Sequence, residues 1–551
     1  MSRFVETLVA SARRNSGEGA RGLTTGEPEE PRFRTWAQVH DEALRMAGGL
    51  GDQLRPGTAV AILAADPGLI GPAVQAVWLG GGSVTMLHQP TPRTDLGHWA
   101  EDTLKVLSMI GARLVLLGPP FEQLGGVLED NGIAYRNLAG LADADTAPLP
   151  APVEVDEDAT ALLQLTSGST ADPKAVRITH RNLHANLRAM VTAAELDPER
   201  DVAVSWLPLF HDMGMVGCLT VPMAIGMSTV KVTPSDFLAG PLLWPKLISK
   251  YRATVTAAPN FAYAVVGRRM ARTDEEFDLS SLRFTLNGAE PIDPAAAQEF
   301  TDAGARFGLA PDCMVCAFGM AEATLAVSFA PLRRGVETDS VDAESLEKRH
   351  VAEPVDPGTP RARRFALLGR PLPGLEVDVV DDDGRVLGDR QVGRLRIRGE
   401  AVTPGYLTVD GPREVQDAEG WLDTGDEGYL ADGQVVICGR RKDVIIMGGR
   451  NIYPVDIERA ACEVPDVRAG NAAAVRLEAG SRRERFAIVL ESKRAGSEEA
   501  EKALRKEVVS RVVDVVGVRP AEVVVLPPGT LPKTPSGKLR RAATAELVPG
   551  H

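Results

Sequence analysis

A loop rich in small hydroxyl residues gives the first hint of chemistry. The segment LTSGSTADPK follows an apolar run and spans residues 165–174. Backbone N–H groups and hydroxyls of such a loop can donate hydrogen bonds to phosphate oxygens, and Lys174 adds a positive charge. The spacing is not that of a Walker A loop, which requires G-x-x-x-x-G-K-[ST]. On its own, the segment is better interpreted as a Ser/Thr/Gly linker.

Two further charged residues lie in short motifs that do not assign them a role on their own. By itself, Lys538, in PSGKLRR near the end of the chain, would belong to an ordinary basic tail. By itself, Glu322, in FGMAEAT, could be an acidic residue at a helix N-terminus.

The cysteines offer a weaker hypothesis. Cys313 and Cys316 form a C-x-x-C pair, which could be redox-active or half of a zinc site. No second cysteine pair or nearby histidine completes a tetrahedral set. With five cysteines in 551 residues, the chain fits a reducing compartment, and the pair is interpreted as two small core residues.

Alternating β-rich and amphipathic segments must position these residues. TAVAILAA (58–65), SVTML (83–87) and RLVLLG (113–118) are separated by helical patterns, which predicts βαβ units and mostly parallel sheets. After about Gly369, short strands with Asp-Gly turns favour a small antiparallel β-barrel. We therefore expect an α/β fold with a large N-terminal domain, residues 1–440, and a small α+β domain, residues 441–551.

Composition excludes several classes of protein. Lys and Arg number 61 and Asp and Glu 75, so the net charge of −14 argues against a protein that coats nucleic acid or anionic lipid. Neither the first residues nor any later run has enough consecutive apolar residues for a signal peptide or a membrane span. We expect no stable membrane insertion and a cytoplasmic location.

One segment interrupts the large domain. Residues 331–365 are rich in charge and proline and separate two apolar strands. Loops of this length are uncommon inside compact domains and are usually functional or disordered. The segment is therefore interpreted as an inserted surface element.

Further motifs occur in an order that suggests one family. They are SWLPLFHDMGM (205–215), TAAPNFAY (256–263), LNGAEPI (286–292), WLDTGDEGYL (421–430) and GRRKDVIIMGGRNIYPVDIE (439–458). With these motifs, the chain resembles the adenylate-forming superfamily of acyl-CoA synthetases, luciferases and peptide-synthetase adenylation domains. Its details are most similar to the fatty acyl-AMP ligase branch.

The resemblance implies a role for each motif. The catalytic residues would be Lys538, Glu322 and Thr170, with Glu322 as the Mg²⁺ ligand. The residues around ATP would be Thr166, Ser167, Gly168, Ser169, Thr170, Lys174, Gly288, Ala289, Glu290, Pro291, Phe318, Gly319, Met320, Ala321, Asp426 and Arg440. The acyl pocket would be lined by Trp206, Phe210, His211, Asp212, Phe261 and Tyr263. Lys442 would be the hinge about which the small C-terminal domain is mobile.

The implied activity is ATP- and Mg²⁺-dependent activation of a fatty acid to acyl-AMP, with release of pyrophosphate. The insertion at 331–365 is similar to one that in fatty acyl-AMP ligases lies against the large domain and hinders the rearrangement that CoA needs. The acyl group would then pass to a holo acyl carrier protein, for lipid, polyketide or lipopeptide synthesis. Two alternatives stay open: a fatty acyl-CoA synthetase that uses CoA, and a catalytically silent nucleotide-binding scaffold.

Overall fold

The computed structural model of the protein describes residues 1–90, 94–166, 172–447, 449–479, 484–533 and 538–549. The strands of the large domain, in chain order, are β1 (Gly22–Thr25), β2 (Arg32–Thr35), β3 (Ala59–Leu63), β4 (Ser83–Met86), β5 (Leu114–Leu117), β6 (Ala134–Asn137), β7 (Thr160–Thr166), β8 (Lys174–Thr179), β9 (Val202–Ser205), β10 (Ser228–Lys231), β11 (Val255–Pro259), β12 (Phe284–Gly288), β13 (Met314–Gly319), β14 (Ala326–Phe329), β15 (Thr338–Asp342), β16 (Ala362–Ala366), β17 (Arg370–Pro371), β18 (Leu375–Val380), β19 (Gly393–Gly399), β20 (Gly405–Thr408), β21 (Gly411–Glu414), β22 (Leu422–Ala431) and β23 (Gln434–Arg440). The strands that follow are β24 (Ile445–Met447), β25 (Arg450–Ile452), β26 (Val467–Leu477), β27 (Arg485–Ser492) and β28 (Glu522–Leu526).

Helices cover the faces of these sheets. They are α1 (Arg3–Arg14), α2 (Trp36–Leu50), α3 (Pro67–Leu79), α4 (Leu96–Met109), α5 (Gly125–Asp130), α6 (Leu138–Asp143), α7 (His180–Ala193), α8 (Val221–Ile225), α9 (Pro234–Ala239), α10 (Leu243–Tyr251), α11 (Asn260–Met270), α12 (Pro294–Ala305), α13 (Pro454–Cys462), α14 (Glu498–Val516) and α15 (Arg541–Ala545). No helix among the described residues is long and apolar enough to cross a membrane.

Two large sheets form the core of the N-terminal domain. One has the strand order β17-β14-β13-β12-β11-β9-β10-β1-β2, and its six strands from β13 to β1 are parallel. The other has the order β21-β20-β8-β7-β4-β3-β5-β6, with parallel pairing from β7 to β6. The βαβ pattern of the sequence therefore predicts these parallel sheets correctly, because buried parallel strands read as short apolar runs.

The expected small barrel is a four-stranded antiparallel sheet with the order β18-β19-β22-β23. Within the described residues, its outer strands β18 and β23 are not paired with each other, so this sheet remains open. The smaller C-terminal domain combines the three-stranded sheet β26-β27-β28 with α13, α14 and α15. The predicted α/β class, with a large and a small domain, is confirmed.

The insertion forms ordered structure. β15 and β16 pair antiparallel, with Thr338 opposite Ala366, and a short π-helical turn, Ser345–Arg349, lies between them. Asp339, on β15 of the insertion, accepts hydrogen bonds from two residues outside the insertion. Arg390 Nη1 lies at 3.0 Å and the Tyr429 hydroxyl at 2.7 Å. The hairpin therefore packs on the large domain through a buried carboxylate that has two donors.

The cysteine pair lies in the core of the large domain. Cys313 and Cys316 are both buried with free thiols. Burial raises the pKa of Cys313 to about 11 and that of Cys316 to about 12. Because the thiolate is the reactive form, these side chains behave as small apolar groups, as the sequence interpretation holds.

Candidate functional site

A cavity of about 2700 Å³ opens where the carboxyl ends of the parallel strands face the C-terminal domain. Its walls include Gly288, Phe318 and Asp426 from the large domain and Lys538 and Arg540 from the C-terminal domain. In open α/β sheets, ligands bind outside the carboxyl ends of the strands. The cavity therefore lies where such a fold positions a site.

Glu322 lies at the centre of a polar cluster. It occupies a single turn of 3₁₀-helix, Ala321–Ala323, directly after β13, and it is buried. Its Oε1 accepts a hydrogen bond from the Tyr406 hydroxyl at 2.7 Å and lies 3.5 Å from Lys174 Nζ. Lys174 also lies over the Tyr406 ring, 4.0 Å from its centroid. Antiparallel pairing of β20 with β8 brings Tyr406 beside Lys174.

Tyr406 is a site residue that the sequence analysis misses. Burial and the adjacent Glu322 raise its pKa, so its hydroxyl remains a donor. A tyrosine on a short strand carries no charge pattern of its own. Only the pairing of β20 with β8 could have identified it.

Asp426 and Arg440 form a second cluster. They are direct partners in the β22–β23 pairing, so their side chains lie on the same face of the sheet. Arg440 Nε lies 3.0 Å from Asp426 Oδ1, and Arg440 Nη1 donates to the Thr424 carbonyl at 2.9 Å. Asp426 Oδ2 is buried, and no described residue donates to it. Burial raises the pKa of Asp426 to about 6, although Arg440 opposes that rise.

An unpaired buried oxygen of this kind is rare unless a ligand or water completes it. The carboxylate can accept two hydrogen bonds at once, which suits a pair of neighbouring hydroxyl groups. Thr166, at the end of β7, likewise has a buried Oγ1 without a partner among the described residues. The residues predicted to follow it in the phosphate loop, Ser167, Gly168, Ser169 and Thr170, lie outside the described part of the chain.

The predicted adenine wall has an unusual backbone. Ala289 follows β12 with a φ of 69°, which is uncommon for a residue with a side chain and is frequent at functional sites. The next residue, Glu290, accepts a hydrogen bond from Phe261 N at 2.6 Å, at the open N-terminus of α11. The remaining predicted members of this wall that also line the cavity are Gly288, Pro291, Phe318, Gly319, Met320 and Ala321.

Lys538 reaches this cavity from the C-terminal domain. It lies near two carboxyl groups of the large domain. Burial raises the pKa of Asp212, but His211 and Lys538 outweigh it and bring that pKa down to about 2. Burial raises the pKa of Glu290, with Lys538 and Lys533 opposing. The arrangement places a cation near two acidic groups, where it could bridge two anionic reactants.

Five of the six predicted acyl-pocket residues line the cavity: Trp206, Phe210, His211, Asp212 and Phe261. Trp206 stacks on Phe237 with ring centroids 3.9 Å apart. Asp212 Oδ1 lies 2.7 Å from His211 Nδ1 and accepts from Met213 N at 2.8 Å, at the start of the π-helix Met213–Thr220.

Tyr263, the sixth, lies elsewhere. It is fully buried, donates to the Leu286 carbonyl at 2.6 Å, and packs against Phe300 with ring centroids 4.9 Å apart. It therefore supports α11 and α12 from the core and does not line the cavity. His88, which the sequence analysis misses, does line it, and its ring meets the edge of Phe210 at 5.4 Å. Burial lowers the pKa of His88 to about 4, so it is neutral at pH 7.

The link between the domains is the turn Arg441–Asp443, which includes the predicted hinge residue Lys442. The Lys442 carbonyl accepts a hydrogen bond from Arg476 Nη1 at 2.7 Å. Beyond the turn, Arg541 donates to both oxygens of Glu458, with the shorter Nη2–Oε2 distance at 2.8 Å, and its Nη1 lies 3.3 Å from Asp443 Oδ2. The segment that carries Lys538 is thereby bound to Asp443 of that turn.

The carboxylates of the cavity fit Mg²⁺ only if substrate phosphates supply further ligands. No group of three or more histidine, cysteine, aspartate or glutamate side chains arranged to hold a metal ion occurs among the described residues. Mg²⁺ is often held by one or two carboxylates together with substrate phosphates, without a complete protein cage. Glu322, whose Oε1 already has two partners, fits that manner through its remaining oxygen.

Comparison with known proteins agrees with this geometry. The AMP-binding enzyme family matches residues 13–407, and the AMP-binding enzyme C-terminal domain matches residues 449–544. A putative ligase of Mycobacterium tuberculosis is 52% identical over 100% of both chains. A putative acyl-CoA synthetase of Caulobacter vibrioides is 35% identical over 93% of this chain and 90% of its own.

Proteins named as fatty acyl-AMP ligases are also similar. The long-chain-fatty-acid–AMP ligase FadD26 of Mycobacterium marinum is 31% identical over 93% of this chain and 91% of its own. A solved structure from a study of fatty acyl-adenylate ligases of E. coli and L. pneumophila superposes with a TM-score of 0.87 at 30% identity, covering 99% of this chain and 98% of that one.

Proposed function

Because the chain belongs to the AMP-binding enzyme family, we propose that it activates a fatty acid by joining it to AMP. The observation that carries the proposal is that Lys538 lies near Asp212 in the cavity. Asp426 lines the same cavity, and its Oδ2 has no donor among the described residues. The fatty-acid carboxylate attacks the α-phosphorus of ATP, acyl-AMP forms, and pyrophosphate leaves.

Each cluster has a task in this reaction. Asp426 accepts hydrogen bonds from the ribose hydroxyls, with Arg440 holding its other oxygen. Lys538 lies between the carboxylate and the α-phosphate and stabilises the charge that develops as they join. Tyr406 and Lys174 fix the orientation of Glu322, the residue that would hold Mg²⁺. That ion would neutralise phosphate charge and polarise the phosphoryl group.

The expected nucleophile needs no general base, since a fatty acid is ionised at pH 7. His211 and Asp212 therefore act on the route of the carboxylate and remove no proton. Asp212 stays anionic, as its low pKa requires. It attracts Lys538 into the cavity, while His211 Nδ1 lies beside it.

The second half of the proposal concerns the acceptor. The insertion contacts the C-terminal domain as well as the large domain: Glu347 Oε2 lies 2.6 Å from Arg450 Nη2, and Arg363 pairs with Asp456. Arg363 also lies over the Tyr453 ring, 4.6 Å from its centroid. These buried contacts hold the domain in the orientation that brings Lys538 to the cavity. They support delivery of the acyl group to a holo acyl carrier protein and oppose use of free CoA.

ATP–pyrophosphate exchange with a series of fatty acids tests the first half. We expect exchange that requires both a fatty acid and Mg²⁺. A chain that binds ATP but never supports exchange would be the nucleotide-binding scaffold. The second half is tested by supplying holo carrier protein or CoA to the preloaded enzyme. Efficient acyl-CoA formation would identify an acyl-CoA synthetase, the activity named for the Caulobacter relative.

A further inference from the structure

A partly buried histidine of the cavity has no partner for its ring nitrogens. His88 lines the cavity, two residues after β4 ends. Its ring meets the edge of Phe210, with ring centroids 5.4 Å apart. Within the described ranges, neither ring nitrogen makes a hydrogen bond to a side chain or to the backbone. Polar groups held inside a protein are mostly hydrogen-bonded, so an imidazole without a partner in a cavity indicates a ligand.

The surrounding chain holds this side chain in place. The His88 carbonyl accepts a hydrogen bond from Trp99 Nε1 at 3.0 Å. At the next residue, Gln89 Nε2 donates to the Ala64 carbonyl at 2.6 Å. The chain is therefore anchored at His88 and directly after it, and the imidazole faces the cavity from a fixed support.

Strand pairing places His88 at the same sheet edge as the predicted phosphate loop. Val84 of β4 is the register partner of Leu162 of β7 in a parallel pair. His88 and Thr166 each lie four residues beyond that pair, and both line the cavity. In open α/β sheets, ligands bind outside the carboxyl ends of the strands. His88 therefore lies at the edge from which the phosphate loop also extends.

His88 also lies near the route proposed for the carboxylate. It interacts electrostatically with His211. His211 Nδ1 lies 2.7 Å from Asp212 Oδ1, and Asp212 in turn interacts with Lys538, the cation proposed to bridge the two reactants. Of the two imidazoles beside Phe210, His211 is already paired with Asp212, whereas His88 is available to a ligand.

A neutral imidazole suits a carboxylate ligand at this position. Burial keeps His88 uncharged at pH 7, so its ring retains one N–H donor. Asp212 is anionic and repels an incoming carboxylate, so a donor near that route favours its binding. The adjacent wall includes Trp206 and Phe210, which can contact the alkyl chain of the same acid.

We propose that His88 donates a hydrogen bond to the carboxylate of the fatty acid and thereby sets the affinity of the enzyme for the acid, separately from its affinity for ATP. The inference rests on the proposed function and adds a substrate contact to it. The ligand is the carboxylate and not a phosphate of ATP, because the ring packs on Phe210 and lies beside His211, both in the acyl part of the cavity.

Variants at His88 provide the first test. His88→Phe keeps a ring that packs on Phe210 but has no N–H, so KM for the acid in pyrophosphate exchange should rise about tenfold. The values of kcat and of KM for ATP should stay within about twofold of wild type. His88→Gln supplies an amide donor and should recover most of the loss. The control His98→Phe alters an exposed histidine beside Asp95 and should match the wild type.

Three results of these variants would overturn the inference. The first is an unchanged KM for the acid in His88→Phe. The second is a rise in KM for ATP without one for the acid, which would assign the ring to a phosphate. The third is a His88→Gln variant that is no better than His88→Phe, which would mean that the loss comes from packing and not from the N–H donor.

The wild-type enzyme provides the second test, which needs no variant to be active. The chain has 8 histidines, so nitrogen-15 labelling of histidine gives few ring signals, and the His88 signal is the one missing from His88→Gln. Adding a fatty acid with a non-hydrolysable ATP analogue should move the His88 N–H proton downfield, and the analogue alone should leave it in place. A His88 signal that the acid does not move overturns this inference while exchange activity stands. Absence of exchange with every acid would instead refute the proposed function.

Discussion

The carboxylates at the cavity and those at the insertion are both buried, but they differ in how many of their oxygens have a hydrogen-bond donor. Asp426 has one oxygen on Arg440 and one without a partner among the described residues. Asp339, on the insertion, has donors on both oxygens: Arg390 Nη1 and Nη2 at 3.0 and 3.3 Å, and the Tyr429 hydroxyl at 2.7 Å. A buried carboxylate with an oxygen that no protein donor reaches indicates a ligand site. A buried carboxylate whose oxygens both have protein donors indicates a contact within the protein. Variants at the two places should therefore fail in different ways.

The largest effect is expected from Lys538→Ala. Removing the cation that joins the two anionic reactants should lower the adenylation rate about 10²-fold or more, equivalent to at least ~2.7 kcal/mol of transition-state stabilisation. Folding and ATP binding should change little. Single-turnover acyl-AMP formation, with ATP binding measured separately, gives both quantities.

Lys533→Ala is the matched control for this variant. Lys533 also lines the cavity from the C-terminal domain and donates to the Gly470 carbonyl at 3.2 Å. We expect a much smaller loss of rate for that variant. Equal losses in both would show that general positive charge, and not Lys538 itself, assists the reaction.

A smaller effect is expected from Asp426→Asn. An amide accepts fewer hydrogen bonds than a carboxylate, so the apparent ATP affinity should fall about tenfold. Stability should not fall. Since burial raises the pKa of Asp426 to about 6, its contribution to stability is present at low pH and is lost as the pH rises through 6. The neutral variant should therefore melt at the same or a higher temperature than wild type at pH 7.

Asp423→Asn serves as its control, because Asp423 is an exposed carboxylate of the same strand that lies 2.9 Å from Arg394. ATP titrations and thermal melts at pH 5 and pH 7.5 measure both properties. A variant Asp426→Asn that loses stability and keeps its ATP affinity would assign Asp426 to the structure and not to the nucleotide.

The smallest effect on the first reaction is expected from Glu347→Gln. The change leaves Arg450 without its buried counter-charge and loosens the insertion from the C-terminal domain. Acyl-AMP formation should stay within about twofold of wild type, while acyl-CoA formation from added CoA should rise severalfold as other domain orientations become populated. Acyl-CoA and acyl-AMP are quantified in the same reaction by mass spectrometry.

The control is Glu344→Gln, one residue before the same short turn. Glu344 is exposed and pairs with Lys348 at 2.6 Å. It should change neither product. No gain in acyl-CoA from Glu347→Gln, with a healthy first reaction, would mean that the acceptor is selected elsewhere.

Much of this fold could be predicted from the sequence, because buried parallel strands produce compact apolar runs. The Asp426–Arg440 pair could not be derived that way, since the two residues are fourteen positions apart and only the β22–β23 register makes their side chains neighbours. Tyr406 was missed for the same reason, through its pairing with β8. The open four-stranded sheet also escapes prediction, since Asp-Gly turns specify hairpins but not closure.

The structure alters two expectations that the family resemblance raises. Tyr263 belongs to the motif that carries Phe261, yet on α11 its side chain points into the core. The insertion contacts both domains, whereas the resemblance implies only the large one. Neither could be read from residue types, because each depends on which face an element turns to its neighbours.

The Glu347–Arg450 contact joins residues 103 positions apart, and this spacing has a consequence for synthesis. At about 5–20 residues per second, the ribosome adds Arg450 roughly 5–20 s after Glu347. Throughout that interval the hairpin can rely only on partners made before residue 440, such as Arg390 and Tyr429 around Asp339. The large domain can therefore form its own contacts with the insertion first, and the C-terminal domain packs against them only after the last hundred residues are made.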